Sequence, residues 1–462
     1  MVSIRRAAYQ LFRAGWLTKN GGYVGHGKKF SEFSGFISMR LILCCISLAS
    51  MSDFCHAADW PGWLGPHGTG TADGSGYPVK WSKDSNLLWK TELPGPGGST
   101  PAVAGNRIFV TLNARGKNRL ICFRMDGRQQ WSQTLGTEIP GKHKKATGAN
   151  SSPLTDGQHV FAYFKSGDLG CCSLDGELIW SVNLHKKFGE VTVDTLWWDL
   201  GNSPVLIDGA IVVSCVQSGP SWIAALRATD GRVLWKVDRD LDAPLEANQS
   251  YSTPAVVRNE DNSQTIIVLG SDHVTAHAAK DGTELWRAGG LNPDGEKYFR
   301  SISSPVATQG IVLAPYARGT TLTAIRMGGS GDVTDSHVLY TNKNTSADVP
   351  TPAVLNDRAF ICGDGGRNRG TVYCLDIRTG RIIWNGQLPK SRHSYSSSPV
   401  VADGHLYLTR EDGTVFVVDA NASEFTLVSE NVLENELTVA TPVFVGSKIL
   451  LRSHSSLSLI GL

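Results

Sequence analysis

The side chains best suited to binding chemistry stand in irregular stretches of this sequence, between short runs in which apolar and polar residues alternate. They are aromatic, charged and amide groups: Lys145, Trp197, Trp198, Asp199, Asn202, Gln249, Tyr251, Arg300, Arg318, Arg392, His393, Tyr395 and Arg410. If these groups converge on one concave surface, they form a site for a ligand or a partner. If they are scattered, they are ordinary polar loop residues in contact with water. The adjacent rings of Trp197 and Trp198 are the hardest to leave in water.

A tandem repeat of about fifty residues decides how these stretches are arranged. Eight Ser-Pro or Thr-Pro steps mark it, at Thr100, Ser152, Ser203, Thr253, Ser304, Thr351, Ser398 and Thr441. Self-similarity at this period is typical of propellers and solenoids. Within each repeat, short alternating runs bounded by Gly, Asp and Asn predict four strands joined by tight turns.

A second signal lies near the end of most repeats, where a tryptophan follows a glycine by four residues. The glycine usually belongs to an Asp-Gly step, which predicts a hairpin turn before the outermost strand. A large ring on that strand can fill the space between neighbouring sheets. We therefore interpret six residues as structural tryptophans: Trp89, Trp131, Trp180, Trp235, Trp286 and Trp384. Tyr340 stands where a further tryptophan is expected.

The two ends of the repeat array predict the number of sheets. After Pro442 only three strands fit, whereas residues 87–93 supply a strand that has no first three strands of its own. Pairing these two segments completes one shared sheet and leaves no unpaired edge in the circle. The sequence therefore predicts an all-β fold, an eight-bladed β-propeller of four-stranded antiparallel blades over residues 87–462, closed by N- and C-terminal strands.

The candidate binding residues all fall on one face of such a propeller. The loop that enters the first strand of a blade and the loop between its second and third strands emerge together, and we call this side the rim face. Its loops are long and irregular, which is where function usually concentrates. The other side, the turn face, has short turns such as Asp208-Gly209. We expect the binding site at the rim face, around the central channel.

Two motifs carry a resemblance to a known superfamily. Leu375-Asp376-Ile377-Arg378-Thr379-Gly380 running to Trp384 resembles the tryptophan-docking motif of PQQ-type propellers. Trp60-Pro61-Gly62-Trp63-Leu64-Gly65-Pro66 is similar to the opening of secreted PQQ-like propellers common in planctomycete bacteria. The resemblance covers about residues 58–462 and implies the propeller fold. It leaves the function open, because the superfamily includes quinoprotein alcohol and glucose dehydrogenases and a non-catalytic outer-membrane assembly lipoprotein.

Residues 1–57 have the features of a leader and signal peptide. Met39-Arg40, the apolar residues 41–49 and the step Cys55-His56-Ala57 follow the order of a secretory signal, with Met39 as the expected translation start. The apolar run is too short to span a membrane, and Cys55 lacks the neighbours of a lipid-anchor site. We therefore expect a periplasmic or secreted protein, with residues 58–86 as a lead-in segment before the propeller.

The charge balance gives no support to a nucleic-acid partner. The whole chain has 44 basic and 42 acidic side chains. Without residues 1–57 it has 37 basic and 40 acidic side chains, a net charge of about −3. Nucleic-acid binding would require a basic face, and this composition does not indicate one.

Six cysteines remain beyond the leader: Cys122, Cys171, Cys172, Cys215, Cys362 and Cys374. Most fall in predicted strands, where cysteine is often a small buried hydrophobic residue. Cys362 and Cys374 flank one predicted hairpin, so a disulfide between them is an open alternative in an oxidising compartment.

Two hypotheses for the function follow. In the first, the propeller is a non-catalytic, monomeric binding scaffold of the cell envelope, which docks a protein or a glycan without a cofactor. The second, implied by the resemblance, is a quinoprotein dehydrogenase in which PQQ lies in the channel and carboxylate and amide oxygens hold calcium. Trp197 or Trp198, Asp199, Asn202 and Arg300 would then hold these groups.

The length of the repeats favours the scaffold. Each repeat stays near fifty residues, so no insertion is available to cover a quinone and exclude water from it. A hydrolase that uses histidine and carboxylates of the rim has no recognisable constellation. We therefore assign no catalytic residue and no metal ligand from the sequence.

Overall fold

The structure is a computed structural model that describes residues 60–189 and 200–462. Within these ranges, eight β-sheets are arranged as the blades of a propeller. The predicted leader, residues 1–57, lies outside the described part of the chain. So do Trp197, Trp198 and Asp199.

The strands follow the order expected from the repeats. β1 (Leu87–Glu92) comes first. Blade 1 has β2 (Ala102–Ala104), β3 (Arg107–Ala114), β4 (Lys117–Arg124) and β5 (Gln129–Thr137). Blade 2 has β6 (Leu154–Thr155), β7 (His159–Tyr163), β8 (Asp168–Ser173) and β9 (Leu178–Asn183), followed by helix α1 (Leu184–Phe188). Blade 3 has β10 (Val205–Ile207), β11 (Ala210–Cys215), β12 (Trp222–Arg227) and β13 (Val233–Asp238).

Blade 4 has β14 (Ala255–Arg258), β15 (Gln264–Gly270), β16 (His273–Ala278) and β17 (Glu284–Ala288). Blade 5 has β18 (Val306–Thr308), β19 (Ile311–Tyr316) and β20 (Thr321–Arg326), then β21 (Gly331–Asp332) and α2 (Thr334–His337) as an excursion, and β22 (Val338–Lys343) as its outer strand. Blade 6 has β23 (Ala353–Leu355), β24 (Arg358–Cys362), β25 (Thr371–Asp376) and β26 (Ile382–Gln387).

Blade 7 has β27 (Val400–Ala402), β28 (His405–Thr409), β29 (Val415–Asp419) and β30 (Leu427–Asn431). Blade 8 has β31 (Val443–Val445), β32 (Lys448–Arg452) and β33 (Ser456–Ile460), with β1 as its outer strand. Three 3₁₀ helices, Leu245–Asn248, Ala317–Gly319 and Gly366–Asn368, lie in loops of the rim face. The predicted blade architecture is confirmed; the addition is β21, which pairs in parallel with β17 and gives blade 4 a fifth strand.

The circle is closed by β1, as predicted. β1 pairs antiparallel with β33, so that Trp89 stands opposite Leu459 and Lys90 opposite Ser458. The Lys90 ammonium group also binds the carboxylates of Glu434 and Glu436, in the loop that leads into β31. The outer strand of blade 8 is therefore fixed by ladder hydrogen bonds and by ion pairs.

The Ser-Pro and Thr-Pro steps form a closed ring of hydrogen bonds around the channel. In each blade the backbone N–H of the Ser or Thr donates to the hydroxyl oxygen of the equivalent residue in the next blade, at 2.8–3.3 Å. The last of these bonds runs from Thr441 N–H to the Thr100 hydroxyl and completes the circle. A buried N–H group at this position needs an acceptor, and the hydroxyl of the neighbouring blade supplies it.

Five of the outer-strand rings pack against a glycine of the following blade. The Trp180 indole N–H donates to the Ala228 carbonyl oxygen at 2.8 Å, and a Cβ on Gly231 would lie 2.6 Å from the Trp180 ring. Gly231 also has φ of +70°, so this turn requires glycine for two reasons. The same contact joins the pairs Trp89 and Gly127, Trp131 and Gly176, Trp235 and Gly282, and Tyr340 and Gly380.

All six cysteines of the described residues are buried, and they form no disulfide with one another. Cys362 stands opposite Val372 and Cys374 opposite Phe360 on adjacent strands. The hairpin therefore does not align the two sulfur atoms of the open disulfide alternative.

The lead-in segment crosses the channel on the turn face. Trp60 is fully buried and forms a bridge with Val103 of blade 1, and the Pro61 carbonyl accepts from Thr155 N–H of blade 2 at 2.7 Å. Further along, the Thr69 carbonyl accepts from Val354 N–H of blade 6 at 2.8 Å. Because blades 2 and 6 are opposite in a ring of eight, residues 61–69 must pass over the end of the channel.

Candidate functional site

A cavity of about 630 Å³ lies on the propeller axis. Its wall includes hydroxyl groups of the Ser/Thr ring, from Thr100, Ser152, Ser203, Thr253 and others. Loops of the rim face form its mouth, and Trp63 of the lead-in segment also lines it. Since the lead-in crosses the channel on the turn face, Trp63 provides the floor, and the cavity opens toward the rim face.

One side of the mouth is built from alternating charges. The Arg300 guanidinium group binds both carboxylate oxygens of Asp348, at 3.0 and 2.9 Å. Its Nε lies 3.2 Å from Glu246 Oε1, close enough for ion pairing although the angle does not give a hydrogen bond. The Arg318 Nη2 donates to both oxygens of Glu246 at 3.3 Å. The Arg300 side chain is only 7% exposed, so this network holds it in one position.

The backbone around Arg318 is strained. Ala317 and Arg318 both have left-handed dihedral angles, with φ of 54° and 52°, and Gly319 follows with φ of 77°. Non-glycine residues adopt this region at a cost, and they do so where the surrounding structure requires it, which is often at functional positions. Here the turn lets Arg318 Nε donate to the Tyr298 carbonyl at 2.7 Å and places the side chain at the cavity.

The other side of the mouth is bridged by an ion pair between distant loops. The Lys145 ammonium group, in the loop between blades 1 and 2, binds the Glu411 carboxylate of blade 7. Glu411 also accepts from the Ser396 hydroxyl at 2.6 Å. The loop before blade 2 is therefore fixed across part of the opening.

Asp364 lies in the cavity wall, at the end of the second strand of blade 6. Its two carboxylate oxygens accept from the backbone N–H groups of Asp348 and Val349, at 2.9 and 3.0 Å. Burial and the neighbouring Asp348 carboxylate raise the pKa of Asp364 to about 6, although its backbone hydrogen bonds act in the opposite direction. A carboxyl group with a pKa in this range and a place in a cavity is a candidate for a binding role.

The predicted site residues that the structure describes, all but Trp197, Trp198 and Asp199, separate into three groups. Lys145, Tyr251, Arg300 and Arg318 line the cavity together. Asn202 and Gln249 are buried beside it and bind protein groups: Asn202 Nδ2 donates to the Ser214 backbone and hydroxyl oxygens, and Gln249 accepts from the Tyr251 hydroxyl.

The third group lies away from the cavity wall. Arg392 is exposed and hydrogen bonds to His393. Tyr395 is buried in the hydrophobic core of blades 6 and 7. Arg410 pairs with Asp412 and lies over the Phe416 ring. The sequence predicted these residues as binding candidates because they stand in rim loops. The side chains of Tyr395 and Arg410 are instead packed against other residues below the loop surface.

The site residues that sequence reasoning missed are Trp63 and Asp364. Trp63 stands in a segment that shows no repeat, so the repeat pattern could not assign it to the channel. Asp364 stands between Gly363 and Gly365. The loop that contains it, between the second and third strands of blade 6, is longer than the equivalent loops of the neighbouring blades. That irregularity is the one signal that could have identified it.

The described residues do not fit PQQ with calcium. They contain no group of three His, Cys, Asp or Glu side chains placed to hold a metal ion. The oxygens of Asp348 bind Arg300, and those of Asp364 accept backbone N–H groups. The lining cations Lys145, Arg300 and Arg318 already pair with carboxylates, whereas a quinone with three carboxylate groups would need cations that are not neutralised. We therefore derive no reaction step through this cofactor.

Within residues 60–189 and 200–462, the helices are too short to cross a membrane.

Comparison with known proteins places this propeller in a family. The profile of the family described as outer membrane protein assembly factor BamB matches residues 70–219 and 175–426. The BamB of Shigella dysenteriae serotype 1 (strain Sd197) is 23% identical to this chain over 369 residues, with 62% of this chain and 88% of that protein covered.

Two solved structures share the fold. BamB from Moraxella catarrhalis superposes with a TM-score of 0.57 at 13% identity, covering 81% of this chain and 99% of that one. A europium-containing methanol dehydrogenase superposes with a TM-score of 0.62 at 10% identity, covering 88% and 98%. At these identities the structures establish the fold and leave activity open. The family match and the closed ring of eight blades together show that this chain belongs to the BamB family of PQQ-like β-propellers.

Proposed function

We propose that this protein is a non-catalytic binding scaffold of the cell envelope, which docks a protein partner on its rim face. The observation that carries the proposal is the difference between the two faces. The rim face holds Glu246, Arg300, Arg318 and Asp348 in one network around an open cavity, whereas the lead-in segment covers the channel on the turn face. Fixed, complementary charges around a concavity favour a specific partner, because they need little ordering when it binds.

Two further points support this function. The matched relatives are described as outer membrane protein assembly factors, a role that requires contact with other envelope proteins. The leader-like residues 1–57 suit export to the periplasm. The proposed role also suits a monomeric protein. In such a protein a different envelope protein, and not a second copy of this chain, would occupy the rim face.

Affinity capture with charge-reversal variants tests the proposal. Arg318→Glu would place two acidic groups together at the rim, beside Glu246, and should abolish retention of the partner from envelope extracts of the native cells. Arg258→Glu is the matched control, because Arg258 is also a partly exposed arginine paired with a carboxylate, Asp208, but on the turn face. We expect wild-type protein and Arg258→Glu to retain the same envelope protein, and Arg318→Glu to lose it. Loss with Arg258→Glu alone would contradict docking on the rim.

The alternative is a quinoprotein dehydrogenase, and calorimetry with PQQ and calcium distinguishes it. Saturable binding at low micromolar concentration, together with dye reduction that depends on an alcohol or a sugar, would replace the scaffold proposal. We expect neither, because the lining cations are already paired with carboxylates.

A further inference from the structure

The cavity can accept a group from the rim face only to a limited depth. The lead-in segment joins blade 2 to blade 6 across the turn face, and Trp63 forms the floor. The volume of about 630 Å³ lies within the range of small-ligand sites, roughly 300–1,000 Å³. A single side chain or a small molecule therefore fits, and a chain passing through the propeller does not.

The charges of the wall are unsuited to an anion. Lys145 pairs with Glu411, Arg318 with Glu246, and Arg300 with both Glu246 and Asp348. An anionic ligand would have to compete with these carboxylates, and each displaced carboxylate would remain in a partly buried position without its cation.

Asp364 is the exception among the lining charges. Its oxygens accept two backbone N–H groups, and within the described residues it forms no ion pair with a Lys, Arg or His. Its charged neighbour from the preceding loop is Asp348, and burial and that neighbour raise the pKa of Asp364 to about 6. At neutral pH the wall therefore carries a carboxylate that would be stabilised by a cation brought from outside.

We propose that the channel binds the ammonium or guanidinium group of a lysine or arginine side chain of the docked partner, with Asp364 as its counter-ion and Trp63 as the floor of the pocket that receives it. This inference rests on the proposed docking at the rim face. A charge-assisted hydrogen bond to Asp364 would supply specificity. The ring of Trp63 suits both an alkyl stem and a cation, through burial of apolar surface and through the cation–π interaction.

Three small compounds test the preference of the pocket for a cation: N-acetyl-lysine methylamide, N-acetyl-arginine methylamide and the uncharged N-acetyl-norleucine methylamide. Their dissociation constants are measured at pH 7.5 by saturation-transfer NMR. We expect the two cationic compounds to bind wild-type protein at least tenfold more tightly than the norleucine compound. Equal binding of all three would overturn the proposal, and this result does not depend on the folding of any variant.

Asp364→Asn and Asp335→Asn then assign the counter-ion. Both remove one carboxylate, but Asp335 is exposed on α2, away from the cavity. Asp364→Asn should abolish the tenfold preference, and Asp335→Asn should keep it. A preference that survives in folded Asp364→Asn would overturn the role of Asp364.

Partner capture separates this inference from the proposed function. Equal capture by wild-type protein and Asp364→Asn, with loss in Arg318→Glu, would overturn the cation pocket and leave the docking face in place. Binding of the lysine compound by wild-type protein, without loss of any partner in Arg318→Glu, would overturn docking and assign the pocket to a free amine.

Discussion

Small residues stand opposite the interblade rings on the adjacent strand. Cys122 pairs with Trp131, Cys171 with Trp180 and Cys374 with Trp384. In other blades the equivalent position is alanine, as in Ala225 opposite Trp235 and Ala276 opposite Trp286. These cysteines therefore occupy a position that requires a small apolar side chain, and packing explains their presence without redox chemistry.

Two glycines with the same positive φ allow the effect of packing against Trp180 to be separated from the effect of backbone strain. Gly231 and Gly209 both have φ of +70°, but a Cβ on Gly231 would lie 2.6 Å from the Trp180 ring, whereas a Cβ on Gly209 would meet nothing within 4 Å. Gly209→Ala should lower the free energy of unfolding by about 1 kcal/mol, the cost of a left-handed alanine. Gly231→Ala should cost about 1–3 kcal/mol more, because the ring must move. Urea unfolding of the two variants checks this, and equal losses would contradict the packing role of the ring.

The residue patterns predict those features of the fold that recur from blade to blade and depend on residues close together in the sequence. The four-residue spacing of glycine and tryptophan identifies the interblade contact, because both members follow from turn chemistry and ring size. The hydroxyl ring was not predicted, although every step has Ser or Thr before Pro, because the donor and acceptor of each bond are far apart in the sequence. Seven of the bonds join residues 43 to 52 positions apart, and the closing bond joins residues 341 positions apart. Trp63 and Asp364 were missed for the same reason: only the closed ring brings the lead-in segment and blade 6 to one cavity.

Two elements that precede blade 1 in the sequence, the lead-in segment and β1, determine the shape of the site. The lead-in segment makes the channel a pocket, through the buried Trp60 and the contacts of Pro61 and Thr69. β1 closes the ring by pairing with β33. The sequence predicted the position of β1, because its tryptophan belongs to the repeat, whereas the path of the lead-in had no repeat to define it.

The junction of β1 with blade 8 should depend on pH through Glu436. Burial tends to raise the pKa of Glu436, but hydrogen bonds from Lys90, Ser453 and Ser456 lower it to about 2. A carboxyl group with a lowered pKa in the folded state stabilises the fold above its ordinary value of 4.5, and this contribution is lost as the pH falls toward 2. Glu436→Gln should therefore lower the free energy of unfolding by about 1–3 kcal/mol at pH 6, and the difference from wild type should shrink between pH 4.5 and 2.

Chemical denaturation at pH 6, 4.5 and 3 measures this difference. Glu424→Gln is the control, because Glu424 is exposed in the loop before β30, and it should change the stability little at any pH. A constant difference for Glu436→Gln over this range would contradict the ion pair between β1 and the loop before β31.

At the scale of the whole molecule, one closed ring supports a rim face that surrounds a cavity and a turn face that the lead-in segment crosses. Eight hydrogen bonds between neighbouring blades encircle the channel, and the strand ladder between β1 and β33 leaves no open edge. The global fold could be predicted because the repeat fixes strand count, blade count and closure. The partner could not, because rim loops vary from blade to blade and their side chains interact only after the ring forms.

Hydrogen exchange of the protein alone and in complex with its captured partner tests the central claim, that binding occurs on the rim face. Amides in residues 296–302, 345–350 and 364–369 should exchange more slowly in the complex, because the partner would cover the loops that surround the cavity. Residues 208–209 and 259–263, in turns of the opposite face, should exchange at the same rate in both states. Protection confined to those turns, with unchanged exchange around the cavity, would contradict the account.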